Sequence, residues 1–253
     1  MTRQTEITSG KRPPTLARPW IQGAALVTVV GMFVLILMGF LTYRETPPIP
    51  DKVVTTTGQT IYTGEDITNG QGVFLANGLM EYGTVYGQGA YLGPDFTAQY
   101  LHDSAEIVKA EYDALGMDGA TRTVEDYRTN TYDAETGTLT ISPAQAIAFE
   151  AMRVYYADMF GTPEQKTGLL PNQITDPEKI KQLTAYFAWT AWTSAAERPG
   201  ASYSYTNNWP GEELVENEPT SDTVLWSAFS LIALLVGAAI LFAIFGRWNN
   251  IAW

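Results

Sequence analysis

One histidine, no cysteine and 27 acidic side chains bound what this 253-residue chain can do chemically. His102 stands beside Asp103, and a single histidine can ligate a metal or a haem. A solvated or capped helix histidine is the commoner arrangement, and an unperturbed pKa near ~6.5 proves nothing by itself. Carboxylate pairs such as Glu65-Asp66 and Glu212-Glu213 have acid–base character. In so acidic a chain they arise by chance and by helix capping, so they carry no catalytic assignment. The missing cysteines remove thiolate metal sites, thiolate copper centres and CxxCH haem attachment. One histidine is too few for histidine-rich zinc sites, and no nucleophile–base set of the hydrolase kind can be assembled. Tyr186, Phe187, Trp189 and Trp192 could line a ligand cage, although core packing suits such a cluster better. The stretch GLMEYGTVYGQGAYLGPDF (78–96) is different, being rich in glycine and aromatic residues. Glycine lets a backbone approach a second surface or a ligand closely. The alternative is an irregular loop packed on its own helices, and the residues leave both readings open.

The elements around that stretch are marked by local signals. ETPPIPDK (45–52) is a proline-rich, extended linker, and VVTTTGQTIYT (53–63) reads as one or two short strands. Thr63-Gly-Glu-Asp66 fits a capping box that opens a short helix through about Asn77. Residues 78–94 lack a regular period and read as a long ordered loop. A helix then runs from Asp95 to Leu115 and stops at Gly116. Residues 117–141 are an excursion with a hairpin turned at Glu135-Thr-Gly137. Ser142-Pro-Ala-Gln145 starts a helix to about Phe160, with Ile147, Ala151, Val154 and Tyr155 on one face. After a polar stretch (161–175), Asp176-Pro177 starts a helix to about Glu197, on which Ile180, Leu183, Phe187 and Ala191 recur at helical spacing. Ala201 to Asp222 reads as an irregular loop. The expected fold is mostly α with a minor β component.

Two uncharged runs enclose this domain. Ile21 to Leu41 and Val224 to Phe245 each exceed the ~20 apolar residues that cross a bilayer core as a helix. The first is too long for a signal-peptide core and is followed by no small-residue cleavage site, so a retained anchor is expected. Arg3, Lys11, Arg12 and Arg18 precede the first run and Arg247 follows the second, which predicts both ends in the cytoplasm. The expected organisation is a cytoplasmic tail (1–19), a first span (20–43), an extracytoplasmic domain (44–223), a second span (224–246) and a short tail (247–253), in a cell membrane. Of the 27 acids only Glu6 lies outside 44–223, and that segment carries a formal balance of −16. So acidic a surface argues against nucleic acid and against lying on anionic lipid. No ionisable residue lies within the spans, so this chain alone offers no intramembrane proton route. Gly23, Gly31 and Gly39 in the first span, with Gly237-Ala238-Ala239 in the second, are small residues that let membrane helices approach a partner.

Several strings together carry a specific resemblance. YTGEDITNGQGVFLANGLMEYGTVYGQGAYLGPDFTAQYLH, then AYFAWTAWTSAAERPG and SYTNNWPGEELVENEPT, resemble in order and spacing the N-terminal portion of quinol-dependent nitric oxide reductases. Those are large membrane enzymes of the haem–copper oxidase superfamily. GQGAYLGPD also resembles the segment after the haem motif in the small subunit of the cytochrome c-dependent enzymes. In that alignment the CxxCH falls on Leu79 to Gly83, here LMEYG. The resemblance therefore implies an outer domain that is cytochrome c-like in fold and haem-free.

It also implies the company this chain keeps. Haem b, haem b3 and a non-haem iron belong to a polytopic catalytic partner, to which quinol delivers electrons directly. This chain would be a non-catalytic small subunit or N-terminal fragment, unable to reduce nitric oxide to nitrous oxide by itself. A nitric oxide dismutase-like relative is an alternative partner. A two-span extracytoplasmic sensor is a third reading, for which IFGRWNNIAW leaves little cytoplasmic output. The contact with the partner is expected at Gly87, Gly89, Ala90, Tyr91, Pro94 and Asp95. In the cytochrome c-dependent relatives the GAY segment helps hold a calcium ion where the two subunits meet. Carried over, that implies the Gly89 carbonyl and Tyr91 as two of the 6–8 oxygen ligands calcium takes.

Overall fold

The computed structural model describes residues 18–87, 92–162 and 168–248. It divides into two units, residues 1–46 and 47–253. The first contains the apolar helix α1, Arg18–Arg44. The second contains the folded domain and a second apolar helix, α8, Ser221–Trp248. Both carry a stretch long and apolar enough to cross a membrane, Ile21–Arg44 and Ser221–Ile244.

The domain begins with two strands, β1 (Lys52–Thr55) and β2 (Thr60–Thr63), joined by a turn at Gly58. Thr63 then caps α2 (Gly64–Ala76): its hydroxyl accepts from the Asp66 N–H, and the Asp66 carboxylate accepts from the Thr63 N–H at 2.9 Å. A one-turn helix, α3 (Leu79–Tyr82), interrupts the stretch expected to be all loop. Asp95 caps α4 (Phe96–Ala114), and Gly116, in the left-handed region, ends it. A further helix, α5 (Gly119–Arg128), lies in the expected excursion. It is strongly polar and short, with Thr123 and Tyr127 turned inward, so apolar periodicity gives no sign of it. Strands β3 (Tyr132–Asp133) and β4 (Thr138–Ile141) form the expected hairpin. Strand β4 also pairs in parallel with β1, so the two hairpins make one sheet in the order β2-β1-β4-β3.

Helices α6 (Pro143–Gly161) and α7 (Pro177–Ala195) complete the domain, each started by the cap and proline that the sequence shows. On helix α6 the structure shows which of two faces is buried. Ile147, Ala151, Val154 and Tyr155 do share a face, but it points outward, with Val154 63% exposed. The buried stripe is Ala144, Ala148, Phe149, Met152, Tyr156 and Phe160. Two apolar stripes lie side by side on this helix, and the larger aromatic one takes the core because it removes more area from water.

Helix α7 runs through the centre, and Ile180, Leu183, Phe187 and Ala191 are buried as their spacing predicts. It crosses α2 closely at Gly70, where an added Cβ would fall 2.0 Å from the Gln182 carbonyl oxygen. Around that crossing Phe74, Phe96, Tyr156, Phe160 and Phe187 form the core, with Phe96 and Phe187 stacked at 4.5 Å between centroids. The expected aromatic cluster on α7 is thus core packing: Tyr186 and Phe187 are buried, and Trp189 Nε1 donates to the Pro48 carbonyl at 2.9 Å.

Candidate functional site

The glycine-rich stretch leaves the core at α3. Leu79 and Tyr82 are buried against the aromatic cluster. Gly83 occupies the last position of the five aligned with a haem-attachment motif, and the Phe96 ring fills the space beside it. A Cβ there would lie 2.4 Å from Phe96 Cε2 and 2.6 Å from the Pro94 carbonyl oxygen. His102, the lone histidine, is elsewhere: half-exposed on α4, its Nδ1 is 3.0 Å from Glu212 Oε2 and its Nε2 3.7 Å from Glu106 Oε1.

Beyond Gly83 the loop is tied down at its neck. The Thr84 N–H donates to the Pro94 carbonyl and the Phe96 N–H to the Thr84 carbonyl, at 3.1 and 2.7 Å. Asp95 does two jobs with one carboxylate. Oδ1 accepts from the Ala98 N–H at 2.8 Å, capping α4, while Oδ2 accepts from the Gly87 N–H at 2.6 Å and the Thr84 hydroxyl at 2.8 Å. Tyr86 and Gly87 both sit in the left-handed region, at φ 59° and 67°. For a bulky residue such as tyrosine this conformation is strained and persists only where the surroundings over-determine it. They do so here: the Tyr86 N–H donates to Thr97 Oγ1, and its hydroxyl pairs with Thr193 Oγ1, both at 3.0 Å. Burial pushes the Tyr86 hydroxyl pKa up, so it stays neutral in this bond.

The YTNNWP string lies against this neck. Trp209, from YTNNWP, packs on Gly87 so closely that a Cβ there would fall 2.4 Å from Trp209 Nε1. Residues 196–220 form the loop that carries Trp209. Asn207 and Asn208 are consecutive left-handed residues, a conformation asparagine tolerates better than most. Asn208 is buried; its Oδ1 accepts from the Ser204 N–H and its Nδ2 donates to the Glu218 carbonyl, both at 2.8 Å. The Thr220 N–H donates to the Asn207 carbonyl, one residue before α8 begins. Trp209 and Gly87 therefore meet at the root of the second apolar helix.

Arg128, which no sequence motif singles out, holds this loop. From the end of α5 its guanidinium donates to Ala195 O, Asn208 Oδ1, Asn217 Oδ1, Glu197 Oε1 and Ser202 O, at 2.7–3.3 Å. The side chain is only 15% exposed, and five oxygens converging on a rigid donor fork fix the loop's shape. No sequence signal flags one arginine among ten cations of the domain. Its meaning comes from acceptors 67 to 89 residues away.

Of the expected contact residues, the structure brings Gly87, Pro94 and Asp95 together. Gly89, Ala90 and Tyr91 lie outside the described residues, so the calcium assignment at Gly89 and Tyr91 does too. Asp95 already accepts three hydrogen bonds from within the domain. Among the described residues no group of three or more His, Asp or Glu side chains converges in a metal-binding arrangement.

No curated protein sequence matches the chain. The family of the NorB cytochrome c-like domain, a part of nitric oxide reductase, matches residues 50–211, which take in Gly87, Trp209 and every helix between them. With more than half its length matched in that way, the chain belongs to this nitric oxide reductase NorB family, of which it carries the cytochrome c-like domain.

Proposed function

We propose that this chain is the haem-free, non-catalytic docking part of a quinol-dependent nitric oxide reductase that reduces nitric oxide to nitrous oxide. The catalytic part, which carries haem b, haem b3 and non-haem iron, seats against the paired loops around Gly87 and Trp209. The observation that carries this reading is the meeting of two family motifs, 122 residues apart, at the root of an apolar helix. A folded loop pair at that place is suited to touch whatever surrounds the helix in the membrane. The packing at α3 supports the absence of haem: no cysteine can form a thioether bond, and the Phe96 ring fills the space beside Gly83. Electrons then pass from quinol to the partner's haem without crossing this domain. Both termini face the cytoplasm and the domain lies outside it. A calcium ion at Gly89 and Tyr91 would draw its remaining oxygens from the partner and its haem; titrating calcium into the chain alone should give weak binding or none, and into the assembled enzyme should give one site.

Trp209→Ala in the assembled enzyme tests the docking. The variant chain should keep its helix content but lose co-purification with the haem-bearing partner, or lose quinol-driven nitric oxide consumption. Unchanged assembly and unchanged turnover would reject the loop pair as the contact. A dismutase-type partner would show itself by releasing dinitrogen and oxygen in place of nitrous oxide.

A further inference from the structure

Between the sheet and helices α4–α7 the domain holds a small cavity lined by both apolar and polar side chains. It has a volume of about 40 Å³. Its walls come from β2 (Tyr62), α4 (Tyr100), α5 (Asp126), β4 (Leu139, Ile141), α6 (Gln145) and α7 (Trp192), among others. Six elements, drawn from residues 62 to 192, meet around it.

The polar groups on its walls are unequally satisfied. Tyr127 donates its hydroxyl to Ser104 Oγ at 2.6 Å. Asp126 Oδ2 accepts from the Tyr112 hydroxyl at 2.8 Å and from Ser142 Oγ at 2.6 Å. Gln145 Nε2 donates to the Asp126 carbonyl. Trp192 Nε1, by contrast, is a buried donor with no hydrogen-bond acceptor in reach. Tyr62 and Tyr100 line the same cavity, and burial raises the pKa of both, so each hydroxyl is a neutral O–H able to donate and accept. An indole N–H left unpaired in a protein interior costs about 1–3 kcal/mol. A cavity needs roughly 10–15 Å³ and two to four polar partners to hold a water. This one exceeds that volume, and Trp192, Tyr62, Tyr100 and Asp126 are all among the residues that line it.

We propose that this cavity is a built site for ordered water, in which a water accepts from Trp192 Nε1 and donates to the oxygens of Asp126 and a tyrosine hydroxyl. The water closes the seam between the sheet and helices α4–α7, and it gives Trp192 the acceptor that the chain does not supply. The site is independent of the docking proposal: it concerns the interior of the domain and stands whichever partner the chain has.

The test is a density map of the assembled enzyme at a resolution that shows ordered waters, for the wild type, Trp192→Phe and Tyr100→Phe. A density peak within ~2.7–3.2 Å of Trp192 Nε1 and of a second polar wall atom is expected in the wild type. It should be lost or displaced in Trp192→Phe, and retained on the indole in Tyr100→Phe. If Trp192→Phe does not fold, the wild-type and Tyr100→Phe maps decide. A dry cavity, or an indole that donates directly to a protein oxygen, overturns the proposal. So does a peak that stays in place once the indole N–H is gone.

Discussion

The aromatic core around Phe187 and the loop around Arg128 are joined through one helix, α7, yet they are built on different physics. The core is held by area: stacked and edge-on rings from α2, α4, α6 and α7 with no charge among them. The loop is held by direction: one guanidinium and the side chains of Asn208 and Asn217 fix a segment without regular secondary structure beyond a single 3₁₀ turn at Glu213–Val215. Losing a ring opens a cavity that every neighbour feels, because interiors are close-packed. Losing the guanidinium should free one segment and leave the helices intact. The loop proposed for docking should therefore be open to damage that does not unfold the domain that displays it.

Four substitutions or conditions separate the two regions. Phe187→Ala should have the largest effect, destabilising the whole domain by about 3–5 kcal/mol in denaturant unfolding, because it removes the ring stacked on Phe96 and leaves a void. Arg128→Gln should cost about 2–3 kcal/mol, the range for losing hydrogen bonds to a charged donor and stranding buried acceptors. Its signature is local: protease cleavage should appear within 196–219 while far-UV circular dichroism stays unchanged. Cleavage spread over the helices would show that the loop and core are one cooperative unit. Ser142→Ala removes one half of the reciprocal cap of α6: Ser142 Oγ no longer accepts from the Gln145 N–H or donates to Asp126 Oδ2, while Gln145 Oε1 can still accept from the residue-142 N–H. It should cost about 1 kcal/mol, read as a lowered midpoint with an unchanged slope.

The smallest expected effect is that of pH at the start of α5. The Lys109 ammonium and then the Gly119 N–H hold the Asp113 carboxyl below its usual range, and the Thr121 hydroxyl and N–H do the same for Asp118. A carboxyl with a depressed folded-state pKa adds stability above its unfolded value, near ~3.9, and loses it as pH falls through the folded value. Acidification below the ordinary carboxylate range should therefore loosen the first turn of α5 while the aromatic core stays closed. The amide resonances of Gly119 and Thr121 should report this, and movement of Phe187 resonances over the same range would count against it.

The same division decides what can be read from the sequence. Caps are local, so Thr63, Asp95, Ser142 and Asp176 mark four helix starts where the structure has them. Apolar runs of membrane length are equally plain, and the periodicity of α7 identifies its buried side. Where two apolar stripes compete, as on α6, spacing alone does not say which is inward; the aromatic Tyr156 and Phe160 do. Helix α5 escapes a reading by period because a polar ten-residue helix has few apolar positions, although Asp118 caps it. The glycine-rich stretch is legible as unusual, yet its partner is not. Gly87 meets Trp209 across a loop that Arg128 holds through Asn208, and a contact of that kind leaves no mark in either segment.

The most direct test of the docking account is backbone amide hydrogen exchange, compared between the 253-residue chain alone and the assembled enzyme. Residues 84–87 and 203–218 should exchange more slowly in the assembly, while the outward face of α6 around Ile147 and Val154 should not change. Equal exchange at both loops in the two states, or protection confined to α6, would contradict it.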